Sequence, residues 1–249
     1  MKFPFRICSR SRWEKMKGIE DLSKISIWLK EMQEAEEAEH PMLQDRVFSS
    51  LDTNKSFSIL DVGANQGKWA TAISKRFQNA TVHAIEADPK TYGSLKKNVE
   101  KIDAIKPVNI ALDSTTGIVS FNSHENSLLS SIADLSDVGG RIEQFQVLAE
   151  TLDEFVSKRQ INDLKLIKID TEGHDLNVLK GGGETLANPS LDFLVLEFGI
   201  DESDQRHVNL NLLISFLEKA GFYLRTLGGW GLHNRESIYG NAIFVRKLH

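Results

Sequence analysis

The sequence predicts an α/β fold built on a mostly parallel sheet covered on both faces. Three observations predict it. From Ser56 onward, short runs rich in β-branched and large apolar residues alternate with helix-like runs. Residues 59–70, ILDVGANQGKWA, end an apolar run at an aspartate, turn on two glycines and enter a helix. Late in the chain, two strand-like runs follow each other with no helix between them, the pattern of an antiparallel pair at a sheet edge.

Taken in order, residues 1–50 read as an N-terminal helical extension that turns from basic to acidic and breaks at Pro41. Residues 51–249 read as one domain. Its expected strands are 58–62, 81–85, 107–112, 164–169 and 191–198. Helices are expected over 69–77 and 91–102, with Asp88 capping a helix that opens on Pro89. After Leu112 a turn-rich stretch and a strand over 118–121 stand where a helix would be expected, and a polar stretch follows to Ser131. A helix over 211–220 stops at Gly221. Strands 222–227 and 242–245 then flank a glycine-rich loop that carries Trp230 and His233.

Composition narrows the function. The 249 residues are 41% hydrophobic, enough for a large core. The net charge of −5 argues against nucleic acid as a partner. No run approaches the roughly 18–20 apolar residues of a membrane helix. A single cysteine, Cys8, fits a reducing compartment, so a cytoplasmic location is expected. Oligomeric state is not legible.

The glycine turn carries the first site argument. Open α/β sheets bind ligands at the carboxyl ends of their strands, and the helix after the turn presents its positive end there. A nicotinamide site expects G-x-G-x-x-G, whereas here Asn65 replaces the middle glycine between Gly63 and Gly67. Asp61, two residues before Gly63, suits a ligand bearing an ammonium group, and S-adenosylmethionine carries one with a carboxylate and a ribose. Glu86, at the tip of the second strand, can accept from both ribose hydroxyls. His83, inside that strand, reads as a packing residue. The plainer alternatives are a purely structural βα turn and an exposed strand-end acid.

Five segments resemble the FkbM family of S-adenosylmethionine-dependent methyltransferases: DVGANQGKWA, IEADPKTYGSLKKNV, NIALDSTTGIVSF, AETLDEF and LIKIDTEGHDLNVLKGG. The last is the most discriminating. The resemblance implies a class I methyltransferase Rossmann-like fold, with a seven-stranded sheet that has one antiparallel strand. It implies O-methylation of a saccharide-containing or natural-product acceptor with S-adenosyl-L-methionine as cofactor. It also implies that Asp61, Gly63, Ala64, Asn65 and Gly67 line the methionine end, that Glu86 and Ala87 hold the ribose, and that Ala111 and Leu112 lie near the adenine.

At the transfer end, Asp170 closes the strand over 164–169, Glu172 and His174 follow, and Glu197 ends the next strand. These four are expected to converge. His174 is the candidate base, since histidine titrates near neutral pH. Asp170, also counted with the cofactor residues, orients it or the acceptor, with Glu172 beside them. The alternative readings are helix capping by Asp170, a dipole role for Glu172, and a metal held by Asp170, Glu197 and His174; no metal ligand is assigned. The polar insert His124, Glu125, Asn126 and Ser127, with Ser130 and Ser131, is expected to border the acceptor pocket, the plainer alternative being an exposed loop. A nicotinamide oxidoreductase and a non-catalytic scaffold in glycan assembly are the rival functions.

Overall fold

The computed structural model describes residues 47–124, 130–132, 142–201, 204, 206–233 and 237–247. Residues 1–46 of the expected helical extension lie outside these. The part of that segment that is described already packs: Phe48 is buried and meets Phe193 edge to face at 5.2 Å.

The strands are β1 (Phe57–Val62), β2 (Ala80–Ile85), β3 (Ile105–Val108), β4 (Ala111–Leu112), β5 (Gly117–His124), β6 (Ile142–Glu150), β7 (Leu164–Ile169), β8 (Phe193–Gly199), β9 (Phe222–His233) and β10 (Ser237–Arg246). The helices are α1 (Lys68–Arg76), α2 (Pro89–Val99), α3 (Leu152–Lys158), α4 (Asp175–Lys180), α5 (Gly183–Ala187) and α6 (Leu210–Lys219). Seven strands form one sheet in the order β3-β2-β1-β7-β8-β10-β9. Only β10 runs against its neighbours, pairing antiparallel with both β8 and β9. The expected seven-stranded sheet with one antiparallel strand is therefore present.

Alternate residues of the central strands feed opposite faces. Leu60, Val62, Ile167 and Ile169 enter one core layer, under α3 to α6. Ile59, Ala84, Leu166 and Val195 enter the other, under α1 and α2. Asp61 and Lys168 occupy the second face as register partners on β1 and β7. A lysine inside a buried parallel strand needs an anionic neighbour, and this pairing provides one.

Three expectations change. The expected strand over 107–112 is two strands. β3 ends the large sheet, where Pro107 is tolerated on an edge, and β4 belongs to a separate three-stranded sheet with β6 and β5. The chain crosses at Asn109, whose Nδ2 donates to the carbonyls of Glu86 and Ala87. β6 and α3 were not anticipated as elements. The glycine-rich loop at 228–231 is instead the continuation of β9, paired with β10 through a register shift beside Gly240. The side chains of Trp230 and His233 lie outside the described residues.

Candidate active site

A cleft opens at the carboxyl ends of β1, β2 and β7. Gly63 and Asn65 line it beside Glu86 and Ala87; Ile110, Ala111 and Leu112 form an apolar section; Ser130, Ile132 and Phe121 face them. Asp170, Thr171, Glu172 and His174 complete the wall. One cavity thus joins the expected cofactor and transfer ends.

The β1–α1 turn is shaped by close approach. The N–H groups of Gly63 and Ala64 both donate to the Ile85 carbonyl at the tip of β2. Gly63 has φ +77°, and a Cβ there would lie 1.9 Å from the Asp170 carbonyl oxygen. Asn65 also takes a positive φ, +49°, and its N–H donates to Glu86 Oε2 at 2.8 Å. Gly67 has a different task from the one expected. A Cβ on it would meet Leu95 at 2.7 Å, so it permits α1 to pack on α2 and does not line the cleft. Asp61 and Ala64 likewise stand behind the wall, because the alternation along β1 turns Asp61 inward.

Asp61 is wholly buried, and neither carboxylate oxygen has a hydrogen-bond partner among the described residues. Burial lifts its pKa to about 6, against the pull of Lys168 3.7 Å away. Lys168 Nζ bonds Asp170 Oδ2 at 2.8 Å. Burial disfavours the ammonium, but Asp170 and Asp61 outweigh it and hold Lys168 above the ordinary lysine range. The sequence reading missed Lys168; the signal was a charge within the apolar run LKLIKI.

Glu86 is 7% exposed and accepts backbone N–H groups from Asn65 and Asp88, each at 2.8 Å. Burial raises its pKa to about 7, although both hydrogen bonds favour the charged form. Asp88 caps α2 through Lys90 N–H, as expected. His83 packs edge to face on Phe155 at 6.3 Å.

The four expected transfer residues do not form one cluster. His174 is the residue before α4, with Nε2 3.0 Å from Asp113 Oδ1 but outside hydrogen-bond geometry. Asp113 lies in the turn-rich stretch after Leu112 and carries no sequence signal of a site residue. Asp170 does not cap α4, whose N-terminus has no side-chain cap; Asp175, its first residue, accepts from the Thr171 N–H and ties down the loop before the helix. Glu172 is bonded to Arg206 Nη2, and burial raises its pKa to about 7 against that attraction.

Glu197 converges with Glu172 and His207, and not with His174. The ligand atoms of these three lie within 4.8 Å of one another. Burial, with Asp170 and Glu172 nearby, pushes the Glu197 carboxyl well above the usual carboxylate range. His207 holds Asp204 Oδ2 on Nδ1 at 2.7 Å and stacks on Tyr239 with centroids 4.6 Å apart. Of the expected acceptor border, Ser130 lines the cleft. Ser131 Oγ donates to the Thr171 and Glu172 carbonyls, and the His124 N–H donates to Ser130 Oγ. Residues 125–129 lie outside the described residues.

Residues 61–224 match the family described as the Methyltransferase FkbM domain. The hexuronic acid methyltransferase AglP of Haloferax volcanii is 30% identical over 173 residues, 65% of each chain, so this chain spans just under two thirds of that relative's length. The 2-O-methyltransferase NoeI of Sinorhizobium fredii is 23% identical over 172 residues, 64% of this chain and 70% of that one. Among solved structures, M. capricolum TrmK with S-adenosylhomocysteine superposes with TM-score 0.48 at 10% identity, covering 82% of this chain and 68% of that one.

Proposed function

The chain belongs to the FkbM methyltransferase family, and on that premise we propose that it moves a methyl group from S-adenosylmethionine to a hydroxyl of a saccharide-containing acceptor. The observation that carries this reading is the single cleft: Gly63, Asn65, Glu86, Ala87, Ile110, Ala111 and Leu112 line one part, and Asp170, Glu172 and His174 another. That NoeI is a 2-O-methyltransferase supports an oxygen acceptor, and that AglP is a hexuronic acid methyltransferase supports a sugar.

The residues present fit the cofactor. The Glu86 carboxylate suits two ribose hydroxyls, since an ionised carboxylate has about four acceptor positions and only two are taken by backbone N–H groups. Ile110, Ala111 and Leu112 offer an apolar seat for an adenine. Gly63 and Asn65 form the wall available to the methionine end. When bound, S-adenosylmethionine supplies an electrophilic methyl carbon on a sulfonium.

The chain's own residues do the rest. Asp170, held by Lys168, orients the acceptor hydroxyl. His174 receives its proton, with Asp113 beside the ring to stabilise the imidazolium that forms. Phe121, Ile132 and the apolar section keep water from the reacting groups. A cytoplasmic location is part of this reading, supported by the single cysteine.

The test is transfer of radiolabelled methyl from S-adenosylmethionine to a panel of uronic-acid and deoxysugar glycosides. Label appearing as an alkali-stable sugar ether is the expected result. Label in none of them, from protein that binds S-adenosylhomocysteine, removes the saccharide reading.

A further inference from the structure

We propose that Arg206 is a positioning residue, which clamps the turn at Glu172 and Gly173 and thereby fixes where the β7–α4 loop presents His174. That turn runs against backbone preference. Glu172 has φ +53° and Gly173 φ +97°. The left-handed conformation is costly for a residue with a Cβ, and it persists where neighbours enforce it. His174 follows directly in the chain and lines the cleft, so the dihedrals of these two residues set the direction from which its ring enters.

Arg206 meets the turn twice. Its Nη2 donates to Glu172 Oε2. Its backbone lies against Gly173, where a Cβ would come within 2.7 Å of the Arg206 carbonyl oxygen and 3.2 Å of the carbonyl carbon. The ion pair is largely shielded from water, with the two side chains 14% and 18% exposed. Burial favours the neutral Glu172 acid, and the guanidinium opposes it. One residue thus holds the side chain of the strained position and the backbone of the next.

The clamp has a firm mount. The Asp204 side chain is wholly buried and accepts the backbone N–H of Arg206 at 2.9 Å and of His207 at 3.2 Å. The Gly199 N–H donates to the Val208 carbonyl at 3.0 Å, which ties the same segment to the end of β8. The loop is held from other segments as well. Ser131 Oγ donates to the Thr171 and Glu172 carbonyls, and Asp175 accepts from the Thr171 N–H. A loop braced in this way keeps a catalytic group within the narrow range of positions that transfer requires. The effect on turnover rests on the methyltransferase reading; the clamp itself does not.

The experiment uses the full chain and its R206M, R206K, E172M and E172M/R206M variants, each checked for folding by circular dichroism. Amide hydrogen exchange over residues 172–174 reads the turn with neither donor nor acceptor present. In R206M these amides should exchange about tenfold faster or more, while those of β1 and β7 keep their protection. Turnover on a saccharide that takes label should fall roughly 10- to 100-fold, the scale of a misplaced catalytic group, with S-adenosylhomocysteine affinity unchanged. R206K should recover part of both, since it keeps the charge and loses the fork. In the E172M background, R206M should change turnover by less than about twofold, because the partner is already gone. Should R206M fold poorly, R206K carries the comparison, with a smaller change of the same sign. Unaltered exchange over 172–174 overturns the proposal, as does unchanged turnover beside faster exchange. Faster exchange throughout β1 and β7 marks a general loss of stability and overturns it equally. An equal R206M effect in both backgrounds assigns the arginine to another partner, with the same consequence. If no saccharide takes label, the function falls and the exchange comparison still decides the clamp.

Discussion

Glu86 carries two demands in one carboxylate. It must stay charged to accept ribose hydroxyls, and it is buried, which lifts its pKa from 4.5 to about 7. Because the folded state holds this proton more tightly than the unfolded chain, the contribution to stability is fullest below pH 4.5 and is lost as pH rises through 7. Ligand binding runs the other way, because the ionised form is the better acceptor. Affinity for S-adenosylhomocysteine should therefore fall severalfold from pH 8 to pH 6, and calorimetry should find that dependence flattened in E86Q. At the other end, H174A should lower turnover at least a hundredfold, within the range of a positioned base, and leave the dissociation constant of S-adenosylhomocysteine almost unchanged. Unaltered turnover would remove His174 from the mechanism. Glu86 was legible because a strand-end acid after a glycine turn is a local pattern. Asp113 and Lys168 were not, because His174 and Asp61 approach them from distant segments.

At the scale of elements, β1 and β7 meet through one glycine and one buried charge. A Cβ at Gly63 would enter the Asp170 carbonyl. G63A should thus cost about 2–4 kcal/mol and lower the melting temperature by roughly 5–15 °C. Lys168 bonds Asp170 and lies 3.7 Å from the wholly buried Asp61. K168M strands that aspartate and should destabilise by about 3–5 kcal/mol, the range for breaking a buried pair. The double variant D61N/K168M should recover part of the loss in urea unfolding. An additive result would show that the two residues are not coupled. The parallel strands were readable as apolar runs bounded by turn residues. β6, IEQFQVLAE, was not, because its apolar residues do not alternate strictly. The split of β3 from β4 depended on Asn109 binding the β2 tip, a contact that propensity does not encode.

For the whole molecule, the large sheet separates two apolar layers, and the cleft lies where its strands end. Ligand bound there bridges β1, β2 and β7 and so should hold both layers together. At one hundred times its dissociation constant, S-adenosylhomocysteine should add about 2.7 kcal/mol. At this chain length that is a rise of roughly 5–11 °C in melting temperature, readable by thermal shift. The mostly parallel sheet followed from the alternation of elements, and its single antiparallel strand from the late helix-free pair and the FkbM resemblance; the strand order came only with the structure. No helix among the described residues is long and apolar enough to cross a membrane. The account depends most on the cleft accepting the methyl donor. Isothermal titration of the folded chain with S-adenosylhomocysteine measures this directly. One molecule bound per chain, with affinity at least tenfold lower in E86Q, is the predicted result; no heat of binding from protein with intact circular dichroism would contradict it.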